Sequence, residues 1–171
     1  MPQIKIREWN EKPRTKLRFI KIGDIFCYQF SEEMFVFGQI LGKVNVGHVI
    51  QFFDIFQASP TITVEELSRA QFIGKPIIID SYTLFDRSPV WSWQIIGHQV
   101  DFDLSPFMDL AFKWGDPNGL HFGKVWLDDR TEPKIFSREE VEDLDWEACV
   151  GSIVYNRILE EELASRGNKG V

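Results

Sequence analysis

The chain has 171 residues, 44% of them hydrophobic, with 15 Phe, 6 Trp and 3 Tyr against 26% charged residues. That length suits one domain with a core large enough to need no staples, and the aromatic content excludes a disordered polymer. A formal net charge of −7 disfavours nucleic acid and anionic membranes as partners and favours basic ones.

The charge is unevenly spread. Residues 1–22 hold seven basic and two acidic side chains, whereas residues 128–147 hold nine acidic and three basic, which predicts two electrostatic faces. Cys27 and Cys149 lie far apart and match no metal-ligand spacing, so reduced, buried thiols are expected. No apolar run approaches the roughly 20 residues of a membrane span. MPQIKIREWNEKPRTKLRFIKIG lacks the apolar centre of a signal peptide. The expectation is a complete, cytoplasmic chain without membrane contact.

In chain order, residues 1–15 read as an irregular basic arm, with Pro2 and Pro13 bracketing charged residues, ahead of a single domain over 16–171. Leu17 and Phe19 alternate with Lys16 and Arg18, a strand pattern. GDIFCYQFSEEMFVFGQILG (23–42) reads as two strands joined by Ser31-Glu32-Glu33. In the first, Phe26, Tyr28 and Phe30 share one face and Ile25, Cys27 and Gln29 the other. The second is apolar on both faces, which places it centrally, with Gly38 marking a bulge or a close contact. HVIQFFDIFQ supplies a third strand, and three curved antiparallel strands in succession predict a small barrel or a bent sheet.

Thr63 with Glu66 is a capping box opening a short helix. KPIIIDSYTLF and SPVWSWQIIGHQV read as strands, the latter with Trp91, Trp93 and Ile95 on one face. PFMDLAFKW and LHFGKVWL flank the turn signal Gly115-Asp116-Pro117-Asn118-Gly119. Ser137 with Glu140 is a second capping box, predicting a short acidic helix through Leu144. Val150, Ile153, Val154, Ile158 and Leu163 recur at helical spacing over 146–165, with Gly167 and Gly170 as terminators. The fold class expected is α+β: a mainly antiparallel, strongly curved sheet of about seven strands with short helices, the longest at the C-terminus.

Catalytic signatures are missing. There is no G-x-S-x-G elbow, no P-loop, no H-E-x-x-H and no G-x-G-x-x-G. His48, His98 and His121 fall in different predicted strands, and Asp101 and Asp103 read as a solvated strand end rather than a carboxylate pair. Cys27, between Phe26 and Tyr28, reads as core packing because nothing local lowers its pKa. Asp54 is flanked by Phe53 and Ile55, where a carboxylate needs hydrogen bonds, so a structural carboxylate is expected. No catalytic residue, metal site or cofactor is therefore expected. The basic arm reads as a guarded strand edge rather than a nucleic-acid contact.

The runs IKIGDIFCYQF, FVFGQILG, IQFFDIF and WSWQIIGH together resemble the immunity protein 26 family of bacterial polymorphic toxin systems. The matching positions are Gly23, Asp24, Phe35, Gly38, Phe52, Phe53, Asp54, Trp93, Ile96 and Gly97, within residues 16–127. These are core-forming positions, and Gly23, Asp24, Gly38, Asp54, Trp93 and Gly97 are expected to be structural. The resemblance implies a protein that binds and blocks a cognate toxin domain, protecting the producing cell or its siblings. A small β-barrel nucleic-acid-binding module and a small hydrolase stand as alternatives. The expected partner is a basic toxin domain, a nuclease being one option. The expected contact surface is the acidic stretch: Asp128, Asp129, Glu139, Glu140, Glu142, Asp143, Asp145, Trp146 and Glu147.

Overall fold

In the computed structural model, residues 3–128, 130 and 134–167 are described; Pro2, Asp129 and Gly170 lie outside them. Six strands form one antiparallel sheet: β1 (Ile4–Ile6), β2 (Asp24–Ser31), β3 (Met34–Val44), β4 (Gly47–Gln57), β5 (Phe72–Ile79) and β6 (Trp93–Gln99), in spatial order β1-β6-β2-β3-β4-β5. A hairpin of β7 (Ala111–Gly115) and β8 (Phe122–Trp126) makes a second, two-stranded sheet. Helix α1 spans Val64–Arg69 and α2 spans Ser152–Gly167, the longer of the two. The architecture is α+β as expected.

The large sheet is open. Register shifts interrupt the pairings of β2 with β3 and β6, and of β4 with β3 and β5, and such bulges bend strands without requiring closure. Of the two predicted outcomes, the bent sheet forms and the barrel does not.

Both faces of this sheet are covered, which is why β3 and β4 are apolar on both sides. On one face Phe26, Tyr28, Val36, Ile40, Phe52 and Trp93 pack with Phe85 and with Tyr155 and Leu159 of α2. Trp93 is the centre of this layer, stacked on Tyr28 at 4.4 Å and on Phe26 at 5.2 Å. The other face gathers Ile25, Cys27, Phe35, Phe37 and Ile96 against Ile62 and Leu67, the latter on α1. The alternation read from the β2 sequence thus sorts its side chains correctly between the two layers. Gly38 sits where a Cβ would fall onto the Phe26 ring and the Gln51 carbonyl, so no larger residue fits between β2 and β4 there.

Several local expectations are corrected. Residues 4–6, read as irregular arm, pair with β6 from Ile4↔Gln99 to Ile6↔Gly97. Leu17–Phe19 form a 3-10 turn rather than a strand, because the Leu17 N–H donates to Asp86 Oδ2 (3.1 Å) instead of to a neighbouring strand. Tyr82–Asp86 form a π-helical turn, not a continuation of β5. Trp91 lies outside β6 with φ of 50°, so it does not share a strand face with Trp93. The acidic segment forms only a 3-10 turn, Glu139–Val141, and α2 begins at Ser152 rather than near Trp146.

Candidate partner-binding surface

The acidic run is built onto the β7–β8 hairpin as a strap. At one edge of the hairpin, Phe122 and Phe136 exchange backbone hydrogen bonds of 3.1 and 2.9 Å. At the other edge, the Lys113 N–H donates to Asp145 O and the Glu147 N–H donates to Lys113 O, both at 2.8 Å. Residues 137–144 therefore cross from the β8 edge to the β7 edge. Val141, 2% exposed, is pinned beneath them in a small core with Ala111, Phe122, Trp126 and Phe136, and Leu144 packs against it. Below the strap, Lys113 Nζ donates to the carbonyls of Val141 (3.1 Å) and Glu142 (3.2 Å).

With the apolar side chains turned inward, the acidic ones are left outside. Glu139, Glu140, Glu142, Asp143 and Asp145 are exposed and Glu147 is half-buried. The second capping box is present: the Ser137 N–H donates to Glu140 Oε2 (2.8 Å) and the Glu140 N–H donates to Ser137 Oγ (3.4 Å). Some carboxylates are engaged within the chain. Asp145 pairs with Lys75 and Glu140 with Lys134, each at 2.6 Å, and Glu147 Oε1 accepts the Asn45 N–H at 3.1 Å. The hydrogen bond from Lys134 holds the Glu140 carboxyl below its ordinary pKa. Asp128 is half-buried and pairs with Arg130 at 2.7 Å; desolvation works against its charge, yet the Arg130 bonds keep its pKa below the usual value. Glu139, Glu142 and Asp143 enter no ion pair among the described residues. Trp146, 38% exposed, ends the strap with its ring 6.0 Å from that of Phe122 and 5.3 Å from Lys113 Nζ.

The remaining singled-out residues belong to the large sheet. Gly23, Asp24 and Gly97 meet where β2 pairs with β6, and the buried Asp24 accepts from the Lys21 N–H and contacts His98 Nδ1, both at 2.9 Å. Burial pushes the Asp24 carboxyl above its ordinary pKa, against the opposing pull of those partners. Asp54 is half-buried rather than internal; its Oδ1 accepts the Gln71 N–H at 2.8 Å and joins β4 to the start of β5. Asp101 accepts the Gln3 N–H, and Asp103 accepts from Ser105 N–H and Oγ, so the two carboxylates serve separate turns.

Reactive groups are scattered. Cys27 is fully buried and burial drives its pKa far up, whereas Cys149 is exposed, contrary to the expectation of two buried thiols. His48 is buried with Nδ1 2.8 Å from Ser81 Oγ; His121 is exposed. Among the described residues no three His, Cys, Asp or Glu side chains gather closely enough to hold a metal ion. In the basic arm, Arg14 is held by Asp86 at 2.6 Å and Asn10 by Gln94. Sequence reasoning missed Lys75, Lys113 and Lys134 as partners of the acidic run, because two of them are distant in the chain and carry no local signal.

Against known proteins, the family model for immunity protein 26 matches residues 21–116. No curated protein and no solved structure matches the chain. The matched stretch runs from the start of β2 to the end of β7, leaving β8, the strap and α2 outside it. It takes in five of the six strands of the large sheet and more than half of the chain, and on that ground the protein belongs to the immunity protein 26 family.

Proposed function

We propose that this chain is a cytoplasmic immunity protein that binds and neutralises a cognate toxin domain, acting by occlusion rather than by turnover. Family membership supports the toxin-neutralising role. The observation that carries the choice of surface is the strap: its apolar side chains are pinned in the small core while the carboxylates of Glu139, Glu142 and Asp143 are exposed and form no ion pair among the described residues. Neighbouring like charges repel one another, so such a cluster weakens the local structure unless something else uses it. A basic toxin domain, such as one that grips nucleic acid, supplies the complementary charge. Complementary fields speed encounter and exclude wrong partners, and Trp146 adds the kind of aromatic anchor that interfaces favour.

The test is co-expression with the cognate toxin domain, sought in the reading frames that adjoin this chain's own. The wild-type chain protects the cell and forms an isolable complex. The triple variant Glu139→Lys, Glu142→Lys, Asp143→Lys removes no ion pair among the described residues, so it should remain folded, lose protection and associate at least tenfold more slowly at low salt. A folded triple variant that still protects, with an unchanged association rate, rejects the strap as the interface.

A further inference from the structure

A groove opens beside the strap, built by a bulge in β5. Between the pairs Phe52↔Ile73 and Ile50↔Ile77, three residues of β5 (Gly74, Lys75 and Pro76) face Gln51 alone. Gln51 Nε2 donates to the Gly74 carbonyl at 2.7 Å and holds the bulge open. Gly74 has φ of 61°, and a Cβ there would lie 2.8 Å from Ile158 Cγ2, so only glycine lets α2 cross this close. The opposite wall is the chain leaving the strap, tied to β5 by the Val150 N–H donating to Ile78 O (2.8 Å) and by the Lys75–Asp145 pair.

The space between these walls is about 730 Å³, lined on its apolar side by Ile77, Phe112, Trp146, Val150, Val154 and Ile158. No polar side chain that lines it is buried, which argues against a small-molecule site, where a few buried polar groups fix orientation. Charge is arranged lengthwise. Along the groove Lys75 balances Asp145, Arg166 holds Glu162 at 3.0 Å, and Arg157 and Glu161 add one charge of each sign, whereas at the Trp146 end Asp145 leads along the chain to Asp143 and Glu142 of the strap. A second copy of the chain carries a net charge of −7, of the same sign as the strap.

We infer that this groove takes an apolar segment of the toxin domain, flanked by Lys or Arg residues that lie over the strap. The inference rests on the proposed immunity role and adds to it a second contact, which supplies buried apolar area where the strap supplies charge. Such a division leaves association rate to the strap and residence time to the groove.

The groove contains its own reporter. Cys149 lines it and is exposed, while Cys27 is fully buried, so N-ethylmaleimide reads Cys149 alone in the folded chain. Saturating toxin domain, catalytically inactivated, should slow alkylation of Cys149 at least tenfold. Val154→Lys, at a position 39% exposed on α2, should weaken the complex at least tenfold, and Ile153→Lys, 76% exposed and outside the groove, should leave it unchanged. Hydrogen exchange on the toxin domain should show one segment that the wild-type chain protects and the Val154→Lys chain does not, apolar with Lys or Arg at its flanks. If the toxin domain binds, with strap reversal still abolishing protection, while Cys149 reacts at its free rate and Val154→Lys binds normally, the groove inference fails and the immunity role stands. A protected segment that lacks apolar or basic residues overturns the stated occupant. Protection of Cys149 that rises with the chain's own concentration, without toxin, assigns the groove to a second copy and overturns it too. A toxin domain that does not bind at all removes both.

Discussion

At the scale of single residues, His48 gives the fold a defined pH dependence. Burial, and after it the charge of Lys43, lowers its pKa from 6.5 to about 4 against the opposing pull of a hydrogen bond to the Ile20 backbone, and its Nδ1 lies 2.8 Å from Ser81 Oγ. A histidine whose pKa is depressed by folding contributes stability above its unfolded value. That contribution is lost as pH falls from 6.5 towards 4, because the unfolded chain takes up a proton the folded one refuses. One proton over that window amounts to about 3 kcal/mol. Urea unfolding at pH 7, 5 and 4 should show this loss in the wild type, and a smaller loss in His48→Gln, which cannot titrate. Parallel curves for the two proteins would exclude His48 as the source. Asp54 is a milder case. Its carboxylate is half-buried and accepts one backbone N–H, so Asp54→Ala should cost about 1 kcal/mol, roughly 2–4 °C in Tm. Calorimetry checks it; an unchanged Tm means that water replaces the carboxylate at the Gln71 amide without cost.

At the scale of elements, the strap shows how a weak helix signal is overridden. The Ser137–Glu140 capping box forms as the sequence predicts, but the 3-10 turn ends at Val141 and, past Glu142, the chain runs on to pair Asp145 and Glu147 with Lys113 on β7. Two interstrand hydrogen bonds and the burial of Val141 outweigh the few further helical bonds that six repelling carboxylates would permit. Val141 is then the rivet of this element. Val141→Ala should cost about 1–3 kcal/mol through lost burial and the space left behind. The loss should also be local: cleavage after Glu139 and Glu142 by a glutamate-specific protease should accelerate, with the large sheet intact by circular dichroism. Cleavage at the wild-type rate would mean that Lys113 and the edge pairing hold the strap alone. By contrast α1, six residues long, keeps its helix because the Thr63–Glu66 box closes in both directions and Leu67 enters the core.

At the scale of the whole molecule, the stretch matched by the family and the surface proposed for recognition are largely separate. The match ends at residue 116, whereas the strap and α2 follow it. The sheet matched by the family thus carries a charged surface that lies beyond the matched stretch. If that surface steers a basic partner, association should be salt-sensitive, since exposed charges are screened over about 10 Å at 0.1 M salt. Raising salt from 50 to 500 mM should slow association of the wild-type chain several-fold while changing dissociation little. The strap-reversal variant should lose that sensitivity. An association rate independent of salt in the wild type would argue that charge plays no part in encounter.

The sequence by itself determined the class of fold and the layering of the sheet. Alternation in DIFCYQF sorts side chains to two faces, apolar runs mark central strands, and Thr63 with Glu66 announces a helix, all through contacts within a few residues. It also marked the acidic run as a candidate and exposed the family resemblance through core positions. Only the tertiary structure decided which segments stand at the edges. Ile4–Ile6 becomes a strand because β6 offers a free edge, and Leu17–Phe19 does not because the distant Asp86 takes the Leu17 N–H. The same holds for the groove. Its walls come from β5, from residues after the strap and from α2, and its charge balance depends on Lys75 meeting Asp145 across 70 positions of chain. Turns and caps are settled by neighbours in sequence, whereas edges, bulges and ion pairs are settled by register between distant segments, which no local pattern encodes.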